Sequence, residues 1–155
     1  MSVQLRPMRD NELAAWLPQL RKNYAADLVR DFGLPPEAAA AKANADAERL
    51  LPGGRLPANH WMFVIEAEGE PVGELWLAER DEDAGPCLFI YDIAVDEAHR
   101  GRGYGKAAMA FAEDEARRRG LPRVALWVGG RNEVARSLYR SLGYEENGVS
   151  MSKEL

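Results

Sequence analysis

Hydrophobic and polar positions switch along the chain between the two-residue period of strands and the longer period of helices. Val3-Gln4-Leu5-Arg6-Pro7 alternates as a strand does. Leu13, Trp16, Leu17, Leu20 and Tyr24 then share one helical face, with a kink or break expected at Pro18. Pro35-Pro36 marks a turn, and Pro36 is placed to open a second helix over the alanine-rich residues 37–51, which Pro52-Gly53-Gly54 ends. Residues 61–68 and 72–79 read as a hairpin around Glu68-Gly69-Glu70-Pro71, and residues 88–95 as a third strand. A helix is predicted over residues 103–119, stopped by Gly120 and Pro122. On its exposed face Glu113–Arg117, Asp114–Arg118 and Glu115–Arg119 are expected to pair. Residues 124–128 are apolar throughout, as in a strand covered on both faces. Asn132 can cap a last helix that carries Val134, Ala135, Leu138, Tyr139 and Leu142 on one face. Residues 144–153 are expected to add a final strand or hairpin.

The order β-α-α-β-β-β-α-β-α-β implies an α/β fold with a mixed sheet flanked by helices. Hairpin-joined strands must be antiparallel, and strand-helix-strand units favour parallel neighbours. No repeat or linker divides residues 1–155, a length that suits a single domain with its own core. The net charge of −5, without a long basic run, argues against nucleic acid and is compatible with a cationic substrate. One cysteine, Cys87, cannot form an internal disulfide, so a reducing compartment fits. His60 and His99 are far apart and no zinc spacing occurs, so no metal is expected. The N-terminus lacks the apolar core of a signal peptide, and no stretch is long and apolar enough to span a membrane. A cytoplasmic protein without a membrane partner is the expectation.

The densest chemical signal is Arg100-Gly101-Arg102-Gly103-Tyr104-Gly105-Lys106, between a predicted strand and a predicted helix. Its glycines let backbone approach a ligand closely, and the first amides of the helix lack internal partners and carry partial positive charge. With Arg100, Arg102 and Lys106 these features suit a phosphate or pyrophosphate. A P-loop would need Ser or Thr after Lys106, where Ala107 stands. The dinucleotide fingerprint counted from Gly101 would need glycine at Lys106. A glycine-rich turn with solvated arginines is the alternative.

Ile93-Ala94-Val95 followed four residues later by Arg100-Gly101-Arg102-Gly103-Tyr104-Gly105 resembles motif A of the GCN5-related N-acetyltransferase (GNAT) family. Arg100, Gly103 and Gly105 meet its Arg/Gln-x-x-Gly-x-Gly/Ala pattern. Asn132-Glu133-Val134-Ala135-Arg136-Ser137-Leu138-Tyr139, with Gly143-Tyr144, resembles motif B, Tyr144 replacing the usual Phe. The resemblance covers the last two-thirds of the chain by motif and the first third by element order. It implies a GNAT-like fold, an acyltransferase activity and acetyl-CoA as co-substrate, without metal. It implies that backbone groups of Ile93 and Val95 bond the pantetheine arm, in a cleft where the motif A strand bulges and diverges from the strand after the helix. Amides from Gly101 to Lys106 would hold the pyrophosphate. Asn132 would touch pantetheine, cap its helix, or do both. Arg136 would meet the cofactor's phosphates or lie solvated. Tyr139 matches the general acid that protonates the departing thiolate, or is core. A backbone amide near Val95 would stabilise the oxyanion.

The amine must attack uncharged, which calls for a base. Asp92 and Glu74 are the candidates, Asp92 being retained, with Tyr91 another polar group near the site; Asp92 reads equally as a structural partner of a backbone amide, and Phe89 stands about where some family members carry a glutamate. The acceptor side is expected between residues 16 and 51, with His60 and Trp61. Tyr24, Asp27 and Asp31 line a pocket for a cationic amine in one reading and form a solvated helix face in the other. His60 reads as a packing residue. A small amine is favoured as acceptor over a peptide or protein amine. A non-catalytic acyl-CoA sensor is the reading from another class. A homodimer through residues 149–151 is also an expectation.

Overall fold

The computed structural model describes residues 2–155; Met1 lies outside the described residues. Strand β1 (Val3–Pro7) leads into helices α1 (Asp10–Phe32) and α2 (Pro36–Leu50). Strands β2 (His60–Ala67), β3 (Glu70–Glu82) and β4 (Gly85–Val95) follow, then helix α3 (Tyr104–Arg118), strand β5 (Val124–Leu126) and helix α4 (Glu133–Ser141). The strands form one five-stranded sheet in chain order. Neighbours from β1 to β4 are antiparallel, and β5 runs parallel to β4. This is the expected α/β fold, a mixed sheet flanked by four helices.

The pleat of β3 sorts the core. Leu75 and Leu77 are fully buried on one face with Met109, Ala112 and Ala116 of α3. Trp76, between them, turns to the other face and meets Trp16 and Leu20 of α1 and Leu51. The Trp16 and Trp76 rings meet edge to face, centroids 5.9 Å apart.

Helix α1 runs unbroken through Pro18, contrary to the expected kink or break. Proline in a helix interior costs about 3 kcal/mol or more. Trp16 and Leu20, which flank it, are buried against the sheet and offset that loss. On α3 the expected exposed ion pairs are only partly formed. Asp114 pairs with Arg117 instead of Arg118. Glu115 is 3% exposed, its buried carboxylate bonded by both Arg118 and Arg119.

Strand β5 is shorter than its apolar run suggests and is half-buried, because it is the edge of the sheet. Trp127, just beyond it, is 71% exposed. Residues 144–155 form no strand, since an extended segment needs a ladder partner and Val149 and Met151 stand in solvent. The strand on which a dimer contact was expected is therefore absent. No helix among the described residues is long and apolar enough to cross a membrane.

Candidate active site

The site begins with a fault in the ladder. Trp76 faces Asp92 across β3 and β4, yet Leu77 faces Ile90, so Tyr91 is an extra residue in β4. Beyond this bulge the alternation of β4 is reset. Asp92 now lies opposite Trp76, on the face covered by α1, together with Glu74 two residues before Trp76. The parallel pairing of β4 with β5 covers only Leu88, Ile90 and the residue between them. Residues 91–95 of β4 thus have an edge free of β5, and the two strands fork.

The glycine-rich loop stands at the open end of the fork. Gly101 and Gly103 have φ of 76° and 86°, a left-handed backbone that favours glycine. Gly103 is the N-cap of α3, and no side chain caps it. The first intrahelical bond runs from the Ala107 amide to the Gly103 carbonyl at 3.0 Å, so the amides before it are unspent within the helix. A Cβ built on Gly101 or Gly103 meets nothing within 4 Å, so both glycines border open space. Arg100, Arg102 and Lys106 are at the surface, Lys106 exposed like both arginines. The Tyr104 side chain instead enters the core beside Ile65, Val72 and Ala108, which leaves only its amide for a ligand. Gly105 brings α3 to 3.8 Å from Leu138 of α4, measured from an ideal Cβ. The Val95 carbonyl accepts the Arg100 Nε at 3.0 Å, which occupies one of its two lone pairs.

Three titratable groups flank the fork. Burial holds the Asp92 carboxyl well above the usual carboxylate range, and the charges of Glu74 and Asp27 push it further in that direction. The Glu74 carboxyl is also raised by burial. From the other face, the half-buried Tyr139 of α4 packs against the α3-side core. Burial raises its hydroxyl to about 12, and the Asp92 charge adds to the rise. A carboxyl poised above its ordinary range and a phenol that stays protonated are an acceptor and a donor of protons, held by different elements around one cleft.

Residues expected to carry both a ligand and a structural role are engaged in the fold. The Asn132 side chain accepts from the Ala135 amide at 3.2 Å and caps α4. The Arg136 guanidinium bonds the Gly130 carbonyl at 2.6 Å, Glu133 at 2.8 Å and Glu146 at 2.6 Å, which ties the loop before α4 to the segment after it. The Tyr24 hydroxyl donates to Asp46 at 2.9 Å and joins α1 to α2. Asp31 is 7% exposed rather than solvated, clasped by Arg30. His60 and Trp61 part company because successive strand residues point to opposite faces. His60 accepts the Trp76 indole N–H on Nδ1 at 2.9 Å and stacks on Tyr91. Trp61 lies on the α3 face under the Arg119 guanidinium. The expected place of Trp61 on the acceptor side is thus corrected, and the period of two in β2 already contained that answer.

Sequence reasoning missed the stacking of Phe32 on Trp127 and the close approach of Gly129 to Asp31. Two adjacent glycines at 129 and 130 were the available signal. Among the described residues no three His, Cys, Asp or Glu side chains gather as metal ligands would.

Comparison with known proteins shows the family and the fold. The model of the Acetyltransferase (GNAT) family matches residues 21–144. The chain is 34% identical to the uncharacterized N-acetyltransferase YycN of Bacillus subtilis over 100% of both chains. The crystal structure of that protein superposes with a TM-score of 0.88 over 99% of each chain. YdgE, a second uncharacterized N-acetyltransferase of Bacillus subtilis, is 30% identical over 100% of this chain and 99% of its own. The aminoglycoside N-acetyltransferase AAC(6')-Iy, solved with CoA, is 23% identical and shares the fold, with a TM-score of 0.67 over 99% of this chain and 95% of that one.

Proposed function

The chain belongs to the acetyltransferase (GNAT) family of N-acetyltransferases, and from that premise we propose that it transfers an acetyl group from acetyl-CoA to a small primary amine. The observation that carries this reading is the uncapped N-terminus of α3, bordered by left-handed glycines, at the open end of the fork between β4 and β5.

Acetyl-CoA supplies a thioester, an acetyl group already activated toward an amine. The residues present fit it. The amides from Gly101 to Lys106 would hold the pyrophosphate, where the end of the helix carries roughly half a positive charge. Gly101 and Gly103 keep side chains out of that cradle. Arg100, Arg102 and Lys106 add charge at the rim. The free edge of β4 at Ile93 and Val95 offers backbone groups to the pantetheine arm, Val95 through the lone pair that Arg100 leaves unused. Asn132 and Arg136 act by holding α4 and its preceding loop.

Asp92 takes the proton of the incoming ammonium. Its raised carboxyl is a stronger base than an exposed aspartate, and the charge of Glu74 adds to that rise. Tyr139 stays protonated through the neutral range and gives its proton to the departing sulfur. A backbone amide near Val95 would stabilise the oxyanion.

The test is release of free CoA thiol from acetyl-CoA in the presence of a panel of primary amines. Amine-dependent release by the wild-type chain is the expected result. Tight acetyl-CoA binding without release in the presence of any amine would overturn it.

A further inference from the structure

The C-terminal end of α1 is laid along the loop after β5, residue against residue. Asp31 meets Gly129 so closely that a Cβ built on that glycine would sit 2.5 Å from the Asp31 Cβ. Phe32 stacks on Trp127, ring centroids 5.1 Å apart and planes 19° from parallel. Gly33 lies beside the Arg131 guanidinium, 3.6 Å from an ideal Cβ. This docking fixes one side of the fork, because Trp127 is the first residue after Leu126, where β5 leaves β4.

One feature of that seam does nothing for the core. Trp127 is 71% exposed, Phe32 36% and Val29 38%. A tryptophan so open to water contributes little to folding, and clustered exposed apolar side chains mark binding surfaces. Phe32 covers one face of the indole and leaves the other to solvent. Leu126, just before Trp127, pairs with Ile90, two residues before Asp92, and the charge of Asp27, one turn before Asp31 on the same helix, raises the Asp92 carboxyl. The ledge therefore stands on the rim of a cleft whose floor carries carboxyls, the complement of an ammonium group.

We propose that the Phe32–Trp127 stack is the acceptor platform, and that the acceptor is an arylalkyl primary amine, whose flat ring lies on the free face of Trp127 while its ammonium reaches Asp92. The inference rests on the acetyltransferase reading and names its substrate class. Ring on ring in an offset stack gives a preference that an alkyl chain of similar reach cannot match. Removing the indole is expected to reduce that preference about tenfold, the ratio that corresponds to the upper end of an aromatic pair's worth.

The experiment compares 2-phenylethylamine with propylamine as acceptors at saturating acetyl-CoA, for the wild type, Trp127→Ala and Trp127→Phe. Acetyl-CoA affinity is measured alongside by calorimetry. The expected wild type favours 2-phenylethylamine in kcat/KM by about tenfold or more. Trp127→Ala lowers the ratio of the two kcat/KM values about tenfold, mainly through KM. Trp127→Phe keeps most of that ratio, and acetyl-CoA binds all three alike. Turnover of propylamine without a wild-type preference, or a preference that survives Trp127→Ala, overturns the proposal and leaves the acetyltransferase reading standing. Turnover of neither amine while acetyl-CoA binds overturns the arylalkyl proposal, and the panel of other amines then decides the parent reading.

Discussion

Gly129→Ala is the sharpest test of how α1 is held over the fork. The added methyl would lie 2.5 Å from the Asp31 Cβ, 3.1 Å from its Cγ and 3.2 Å from its Oδ2. The nearest of these atoms is fixed to the backbone of α1, so no rotamer change relieves the clash. Asp31 is 7% exposed, and Arg30 bonds its two carboxylate oxygens at 2.8 Å each. The last turn of α1 must therefore move away from the loop. Overpacking of this kind costs about 1–3 kcal/mol. For a chain of this size each kcal/mol lowers Tm by about 2–4 °C, which gives a fall of about 2–12 °C. Gly130→Ala is the matched control. Gly130 is exposed, lies outside the left-handed region, and its Cβ would meet nothing within 4 Å. That substitution is expected to be neutral or to stabilise by about 0.4–1 kcal/mol through the unfolded chain. Thermal unfolding of both variants, followed by far-UV circular dichroism, makes the comparison. A Gly129→Ala melt that coincides with wild type, or an equal fall in Gly130→Ala, would refute the close packing of α1 on the loop.

Further outcomes follow from three ionisable groups. Tyr139→Phe is expected to lower kcat by about 100-fold or more while acetyl-CoA affinity stays unchanged, and wild-type rates should show no alkaline limb from this phenol below pH 10, since its hydroxyl is raised to about 12. Asp92→Asn is expected to abolish an acid limb in kcat/KM that lies above the ordinary carboxylate range, at a cost of about 100-fold or more in rate. The same variant should be more stable than wild type at pH 7. A raised carboxyl binds its proton more firmly in the folded chain, so the stability it contributes is present in acid and lost as pH rises, and urea unfolding across pH reads that slope. His60 has the opposite sign. Burial lowers its pKa and Trp76 bonds its bare Nδ1, so the unfolded chain takes up the proton first and stability falls as pH drops below about 6.5; His60→Asn, which accepts the same indole proton without titrating, should flatten that fall.

The sequence was most readable where chemistry is written locally. The left-handed glycines and the uncapped helix start within the run Arg100 to Lys106 were readable, because glycine freedom and helix starts are properties of neighbouring residues. The helical face of Leu13, Trp16, Leu17 and Leu20 predicted its burial for the same reason. What depends on a partner was not readable. The bulge at Tyr91 is a mismatch between two strands, and nothing in residues 88–95 alone places it. Asp31 reads as a surface charge until Gly129 is brought against it. Val149 and Met151 alternate as strand residues do, but no edge receives them. The apolar run at 124–128 suggested burial on both faces, although an edge strand leaves Trp127 in water.

The most direct measurement is calorimetric titration of the wild-type chain and a Gly103→Val variant with acetyl-CoA in the absence of any amine, with circular dichroism to establish that both are folded. Gly103 has φ of 86°, so a β-branched residue there must shift the first turn of α3 and its amides. Saturable one-to-one binding by the wild type, weakened at least about tenfold in the variant, is the predicted result. A folded wild-type chain that takes up no acetyl-CoA, or a folded variant that binds it equally well, would contradict the placement of the co-substrate at the start of α3.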